Sequence, residues 1–198
     1  MLLRSRNLVF GPLWGVLALV FCLPAPPSTA QDDGIRIDMP ASSRVRIENQ
    51  FGGVTAEVWS EKHVSVSAAI EGAEAAFKRS PIIIENKNQI LRISVVRTPI
   101  DPQAGIRLTV RLPERAQVEI VTGLGSISVL GKPASASLRS VSGDLRAELD
   151  QPLNADISAR SVTGAIHSEL SAPLSSDGHA LQTRLGTSDY VLRINSDS

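Results

Sequence analysis

Beyond residue 43 the chain alternates apolar and polar positions with a period of two. Val45 and Ile47, then Val64, Val66 and Ala68, then Ile106, Leu108, Val110 and Leu112 are each separated by single residues. This spacing places them on one face of an extended strand. The pattern predicts strands over 44–48, 54–59, 64–70, 81–85, 90–96 and 106–112. Asn49-Gln50-Phe51-Gly52-Gly53 and Asn86-Lys87-Asn88 separate such runs and carry hairpin-turn composition. Residues 71–79 are Ala-rich with Glu and Lys, but too short to hold a helix in water without packing. Pro99, Pro102 and Gly105 mark 98–105 as a loop.

From Pro113 to Leu170 the pattern repeats. Val121-Thr122-Gly123, Val141-Ser142-Gly143 and Val162-Thr163-Gly164 recur at spacings of 20 and 21 residues. Pro113, Pro133 and Pro152 precede them, followed at equal offsets by Ala116-x-Val118, Ala136-x-Leu138 and Ala155-x-Ile157. Alternating apolar residues follow each glycine: Ile127 and Val129, Leu145, Ala147 and Leu149, Ile166 and Leu170. A repeat of this length reads as a coil of two short strands that buries its apolar face against neighbouring coils. The expected fold is all-β, a β-solenoid-like stack of ~20-residue two-strand coils preceded by antiparallel hairpins. Val118, Ile120, Ile127, Leu138, Leu145, Ile157 and Ile166 should share one core. Gly53, Gly123, Gly125, Gly143, Gly164 and Gly186 are the candidate turn positions.

The N-terminus reads differently. Arg4 and Arg6 precede an apolar run from Leu8 to Leu23, and Ser28-Thr29-Ala30 supplies small residues before Gln31. This is the architecture of a secretory signal peptide over residues 1–30, leaving one domain over 31–198. Gly11, Pro12 and Gly15 interrupt the apolar run, and Pro24 ends it, so it is short for a membrane anchor. Phe21 before Cys22 is too bulky for a lipid-attachment site. Cleavage would remove Cys22, the single cysteine, so stability must come from packing rather than disulfides. It would also remove Arg4 and Arg6, leaving 18 basic against 20 acidic residues and a formal charge of −2. Near-neutrality with mixed signs argues against nucleic acid or an anionic membrane as the main partner. Phe51, Trp59, Phe77 and Tyr190 are the aromatics after Ala30. A sugar-stacking cleft has little to draw on.

No residue pattern points to catalysis or to a cofactor. His63, His167 and His179 are scattered, and zinc sites need clustered ligands. Asp32-Asp33-Gly34 lacks the further ligands of a calcium loop. Gly123-Leu124-Gly125-Ser126 is followed by a strand pattern, whereas a phosphate loop opens a helix, and it lacks the Gly-x-Ser-x-Gly spacing of a nucleophile turn. Arg139 and Arg160 stand four residues before Gly143 and Gly164, and Glu148 and Glu169 five after them. Adjacent coils would stack these into an Arg pair and a Glu pair. Such pairs serve either to dock a polymer or to keep strand edges soluble, and mixed signs favour solubility. Thr122, Ser142 and Thr163 are expected to form a structural hydroxyl ladder at the turns.

Leu112-Pro113, Val118-x-Ile120-x-Thr122-Gly123-x-Gly125-x-Ile127, Ser140-Val141-Ser142-Gly143-Asp144-Leu145 and Ser161-Val162-Thr163-Gly164-Ala165-Ile166 resemble the bacterial putative-adhesin family of β-strand repeats. Asn49-x-Phe51-Gly52-Gly53-Val54 is similar to that family's first turn. The resemblance implies an exported domain without assigned catalytic residues. Ala165 stands where the family has Asp, and Arg184-Leu185-Gly186 lacks the Ser/Thr, so the last coil should be irregular.

The function expected is a non-enzymatic cell-envelope scaffold or adhesion and contact module, periplasmic, surface-bound or secreted. Its partner would be an envelope protein or polysaccharide. The alternatives are a glycan-active or glycan-binding β-helix protein, and a regulatory ectodomain in envelope signalling. The enzyme alternative needs two acids among Asp144, Glu148, Asp156 and Glu169 to converge in a groove. Asn195-Ser196-Asp197 repeats the pre-glycine pattern without its glycine. The expectation is therefore that 190–194 forms a strand at an open end and that a further C-terminal part follows.

Overall fold

A computed structural model describes residues 34–40, 42–70, 81–95, 105–149, 154–170, 177–187 and 190–197. They fall within one compact unit spanning 32–198. The described secondary structure is entirely strand: β1 (Ile35–Asp38), β2 (Arg44–Phe51), β3 (Val54–Trp59), β4 (His63–Ile70), β5 (Ile82–Lys87), β6 (Ile90–Val95), β7 (Ile106–Pro113), β8 (Gln117–Leu124), β9 (Ile127–Leu130), β10 (Ser135–Ser142), β11 (Leu145–Glu148), β12 (Ala155–Ser161), β13 (Ala180–Leu185) and β14 (Tyr190–Ser196). No described helix is long and apolar enough to cross a membrane. The segment 71–79 and most of the loop over 98–105 lie outside the described residues.

The strands form two mixed sheets. One has six strands in the order β1-β4-β7-β3-β9-β11, the other eight in the order β13-β12-β14-β10-β8-β2-β6-β5. Within the first, β7, β3, β9 and β11 run parallel to their neighbours, with β4 and β1 added antiparallel. Within the second, β12, β14, β10, β8, β2 and β6 are parallel, and β13 and β5 close the edges antiparallel. Consecutive strands β2 and β3 lie in different sheets, as do β8 and β9, and β10 and β11. The 49–53 segment is therefore a corner between sheets, not a hairpin turn. A hairpin does join β5 and β6, with Asn88 and Gln89 at positive φ in its turn.

Alternation decides which face of each strand is dry. Val45, Ile47, Val118, Ile120, Leu138, Ile157 and Leu192 from the eight-stranded sheet pack with Val54, Leu108, Val110, Ile127 and Val129 from the other. Of the expected core set, Val118, Ile120, Ile127, Leu138 and Ile157 are buried, and Leu145 and Ile166 pack half-buried against them.

The corners explain why the chain can switch sheets. Pairing aligns Asn49 with Thr122 and Thr122 with Ser140. The corner glycines at equal offset are thus Gly52, Gly125 and Gly143, all at positive φ. A Cβ on Gly143 would fall on the carbonyl of Gly125, and one on Gly125 on the carbonyl of Gly52. Side chains cannot occupy a stack that tight.

The hydroxyl ladder lies two residues earlier than the sequence repeat implies. Thr122 is in it, but Ser142 and Thr163 are exposed, and its other members are Asn49, Ser140 and Ser161, all buried. Thr122 Oγ1 donates to the Gly125 carbonyl at 3.2 Å and lies 3.0 Å from Ser140 Oγ. Asn49 Nδ2 donates to the carbonyls of Gly52 at 3.1 Å and Ile106 at 2.6 Å. These side chains bond carbonyls at the corners and at the start of β7.

The C-terminal strand departs most from expectation. Strand β14 does not lie at an open end. It runs between β10 and β12, parallel to both, so its backbone is bonded on each side.

Candidate functional site

Side chains that alternate away from the core line up in rows across the eight-stranded sheet, because parallel strands in register bring equivalent positions side by side. One row runs Glu48, Val121, Arg139, Asn195, Arg160. The next, two residues earlier on each strand, runs Arg92, Arg46, Glu119, Ser137, Arg193, Ser158.

Charge is unevenly balanced along these rows. On β2 and β8, Arg46 Nε bonds Glu48 at 2.6 Å and its Nη1 lies 3.3 Å from Glu119. The Glu48 hydrogen bond chiefly, with the field of Glu119 added, raises the Arg46 pKa further above its ordinary value. At the far edge Arg184 Nε bonds Asp156 at 2.6 Å, which raises the Arg184 pKa in the same way. Between these neutralised pairs lie Arg139, Arg193 and Arg160 on β10, β14 and β12. Arg193 and Arg160 are exposed and have no ion pair among the described residues. Arg139 has one contact, to Asp197 at 3.5 Å, with both side chains well exposed.

A shallow groove runs along this face, lined among others by Arg46, Glu119, Ser137, Arg139, Val141 and Asn195. Its one carboxylate, Glu119, is engaged by Arg46. Val141, in its lining, is more than half exposed, as are Leu124 and Val162 at the ends of β8 and β12.

The structure separates the charges that sequence had paired. Arg139 and Arg160 are not on adjacent strands, since β14 with Asn195 stands between them. Glu148 is on β11 in the other sheet, bonded to Arg146, and Glu169 follows β12 outside any strand. Of the four acids needed for a catalytic pair, Asp156 faces out from the eight-stranded sheet against Arg184, and Glu148 belongs to the six-stranded one. Asp144 sits at the corner before β11, where its carbonyl accepts from the Ile127 amide.

The remaining candidates are occupied locally. His63 is buried edge-on against Trp59 at 4.6 Å, and His179 Nδ1 lies 3.0 Å from the Gly164 carbonyl, while His167 is exposed. No group of three metal-ligating side chains occurs among the described residues, and Asp32 and Asp33 lie outside them. Trp59 is a spent aromatic: its Nε1 donates to the His63 carbonyl at 3.0 Å, and the Arg111 guanidinium lies 5.5 Å above its ring. Among the turn glycines, Gly125, Gly143 and Gly186 have positive φ, whereas Gly53, Gly123 and Gly164 do not. The Gly164 amide donates to Ser161 Oγ at 2.8 Å.

Sequence reading missed Arg193 and Asn195. Their signal was present, since Tyr190, Leu192 and Ile194 alternate inward and so force 193 and 195 outward. What it lacked was the position of β14 between β10 and β12.

No family model matches the chain, and no curated protein matches it. A solved structure from Clostridium sporogenes, described as a putative cell adhesion protein, aligns with 82% of this chain and 92% of its own, at 12% identity and a TM-score of 0.49. A putative adhesin from Parabacteroides distasonis aligns over 60% of this chain and 58% of its own, at 10% identity and a TM-score of 0.29. At such similarity neither assigns a ligand or an activity to this chain.

Proposed function

We propose that the protein is a non-enzymatic contact module of the cell envelope, exported through its N-terminal segment and built as a β-solenoid-like stack of coils. The observation that carries this reading is the parallel register of β6, β2, β8, β10, β14 and β12, which sets outward side chains in rows on an open face. Such a face suits contact with an extended partner better than enclosure of a small substrate, which calls for a concave, mostly apolar pocket. The placement of Asp156 against Arg184 on one sheet and of Glu148 against Arg146 on the other supports a non-hydrolytic role. The signal-peptide architecture before Gln31 supports export.

Expression of the full chain in a bacterial host, followed by fractionation and N-terminal sequencing, tests both halves. The expected result is an exported protein beginning at Gln31 that sediments with isolated envelope material and releases no soluble sugar from it. Retention in the cytoplasm with an intact N-terminus, or steady release of sugar, would refute the reading.

A further inference from the structure

The geometry points to a binding site for a linear acidic polysaccharide on the outer face of β10, β14 and β12, with Arg139, Arg193 and Arg160 as its cationic contacts. The inference rests on the contact-module reading and names its ligand class.

Three observations lead to it. First, Arg160 and Arg193 stand on neighbouring strands with no acid engaging them among the described residues, and Arg139 meets only the exposed Asp197 at 3.5 Å. The Arg46 pairs hold one flank and the Arg184–Asp156 pair the other, whereas Arg160 and Arg193 have no ion pair among the described residues. Guanidinium forks match oxyanions bidentately, so exposed, unengaged arginines on a rigid floor are pre-organised for carboxylate or sulfate. Second, the arginines are spaced on the scale of a polymer repeat. Arg139 and Arg160 lie two strands apart in one row, so their Cα atoms are about 10 Å apart, with Asn195 between them and Arg193 two residues along β14. That separation is on the scale of a disaccharide, so the oxyanions of alternate sugars meet successive arginines while Asn195 and Ser137 reach the hydroxyls. Third, an exposed valine stands two positions after each flanking arginine: Val141 after Arg139 on β10, and Val162 after Arg160, just past the end of β12. These give the C–H faces of sugar rings an apolar rest.

The same observations select against other polyanions. The exposed rows contain no Phe, Trp or Tyr on which nucleic-acid bases could stack. A planar anionic bilayer would meet Glu48, Glu85, Glu119 and Asp156 together with the arginines, whereas a single polymer strand follows the cationic band alone. The scarcity of free aromatics, which disfavours stacking on neutral sugars, leaves charge-based recognition untouched.

The test uses the full chain, purified after export, in low-salt titrations with polygalacturonate, heparin, neutral dextran, a DNA duplex and phosphatidylglycerol vesicles. Binding to polygalacturonate or heparin is expected, lost at high salt, and weakened about tenfold or more in the Arg139→Ser/Arg160→Ser/Arg193→Ser variant. Whichever of the two binds tighter identifies carboxylate or sulfate as the preferred oxyanion. Asp197→Asn, which frees Arg139 from its acid, should tighten binding about two- to threefold and requires no loss of function to read. Equal binding to dextran, tighter binding to DNA or vesicles, or affinities unchanged in both variants would overturn the inference. If envelope material retains the wild type and the triple variant equally while neither acidic polymer binds, this inference falls and the contact module stands. If no envelope fraction retains the wild type, both fall.

Discussion

Replacing Gly143 by Ala tests the corner stack. Gly143 has φ of 134°, and a Cβ there would meet the backbone carbonyl of Gly125 in the neighbouring corner. A backbone oxygen cannot rotate aside as a side chain can, so the two corners must separate locally. Holding a non-glycine residue in that conformation costs about 1–3 kcal/mol, and forcing an extra carbon into a packed site costs about 1–3 kcal/mol. Reduced freedom of the unfolded chain offsets about 0.4–1 kcal/mol. The expected net loss is about 2–4 kcal/mol. For a domain of this size that lowers Tm by about 5–15 °C, at about 2–4 °C per kcal/mol. Gly178→Ala is the control. Gly178 has φ of 71°, but its Cβ would have nothing within 4 Å. It should lose only the conformational part, about 1–2 kcal/mol. Paired urea and thermal denaturation read the difference, which reports the contact between corners. Losses of equal size in the two variants would refute the proposed stack.

Other expectations follow from the same packing. Ile120→Ala, at a fully buried position in the middle of the larger sheet, should cost about 2–5 kcal/mol in chemical denaturation. Thr122→Val removes a donor to the Gly125 carbonyl but leaves Ser140 Oγ 3.3 Å from it, so the loss should be about 1 kcal/mol. Tyr190 is buried with no hydrogen-bond partner for its hydroxyl among the described residues, and burial raises its pKa well above 10.0. The unfolded phenol then ionises first, so the stability tied to Tyr190 is complete below about pH 10 and falls as pH rises above it. Tyr190→Phe should abolish that alkaline loss in pH-dependent melting while leaving neutral-pH stability unchanged or slightly higher.

The strands were legible in the sequence because alternation is a local property. Val45 and Ile47, or Val118 and Ile120, declare an inward face whatever they pack against. The offset between repeats was not legible. Shifting the first repeat by two residues leaves every inward side chain inward, so hydrophobicity cannot distinguish Gly123 from Gly125 as the counterpart of Gly143. The ladder hydrogen bonds of Thr122 and Ser140 decide it, and those exist only between neighbouring strands. The order of strands was hidden for the same reason. Nothing within 190–196 states that it separates β10 from β12, yet that placement spreads Arg139 and Arg160 apart and puts Arg193 between them.

The account rests on β14 lying between β10 and β12, and engineered cysteines measure this directly. In a Cys22→Ser background, Ser137→Cys with Arg193→Cys places two thiols on neighbouring strands in one row, with Cα atoms about 4.8 Å apart. Ser137→Cys with Ser158→Cys places them two strands apart, at about 10 Å. Disulfides require Cα separations of about 4.4–6.8 Å. Mild oxidation followed by peptide mapping should therefore bridge the first pair and leave the second reduced. Bridging of Cys at 137 and 158, with the first pair left open, would contradict the fold and remove the arginine site with it.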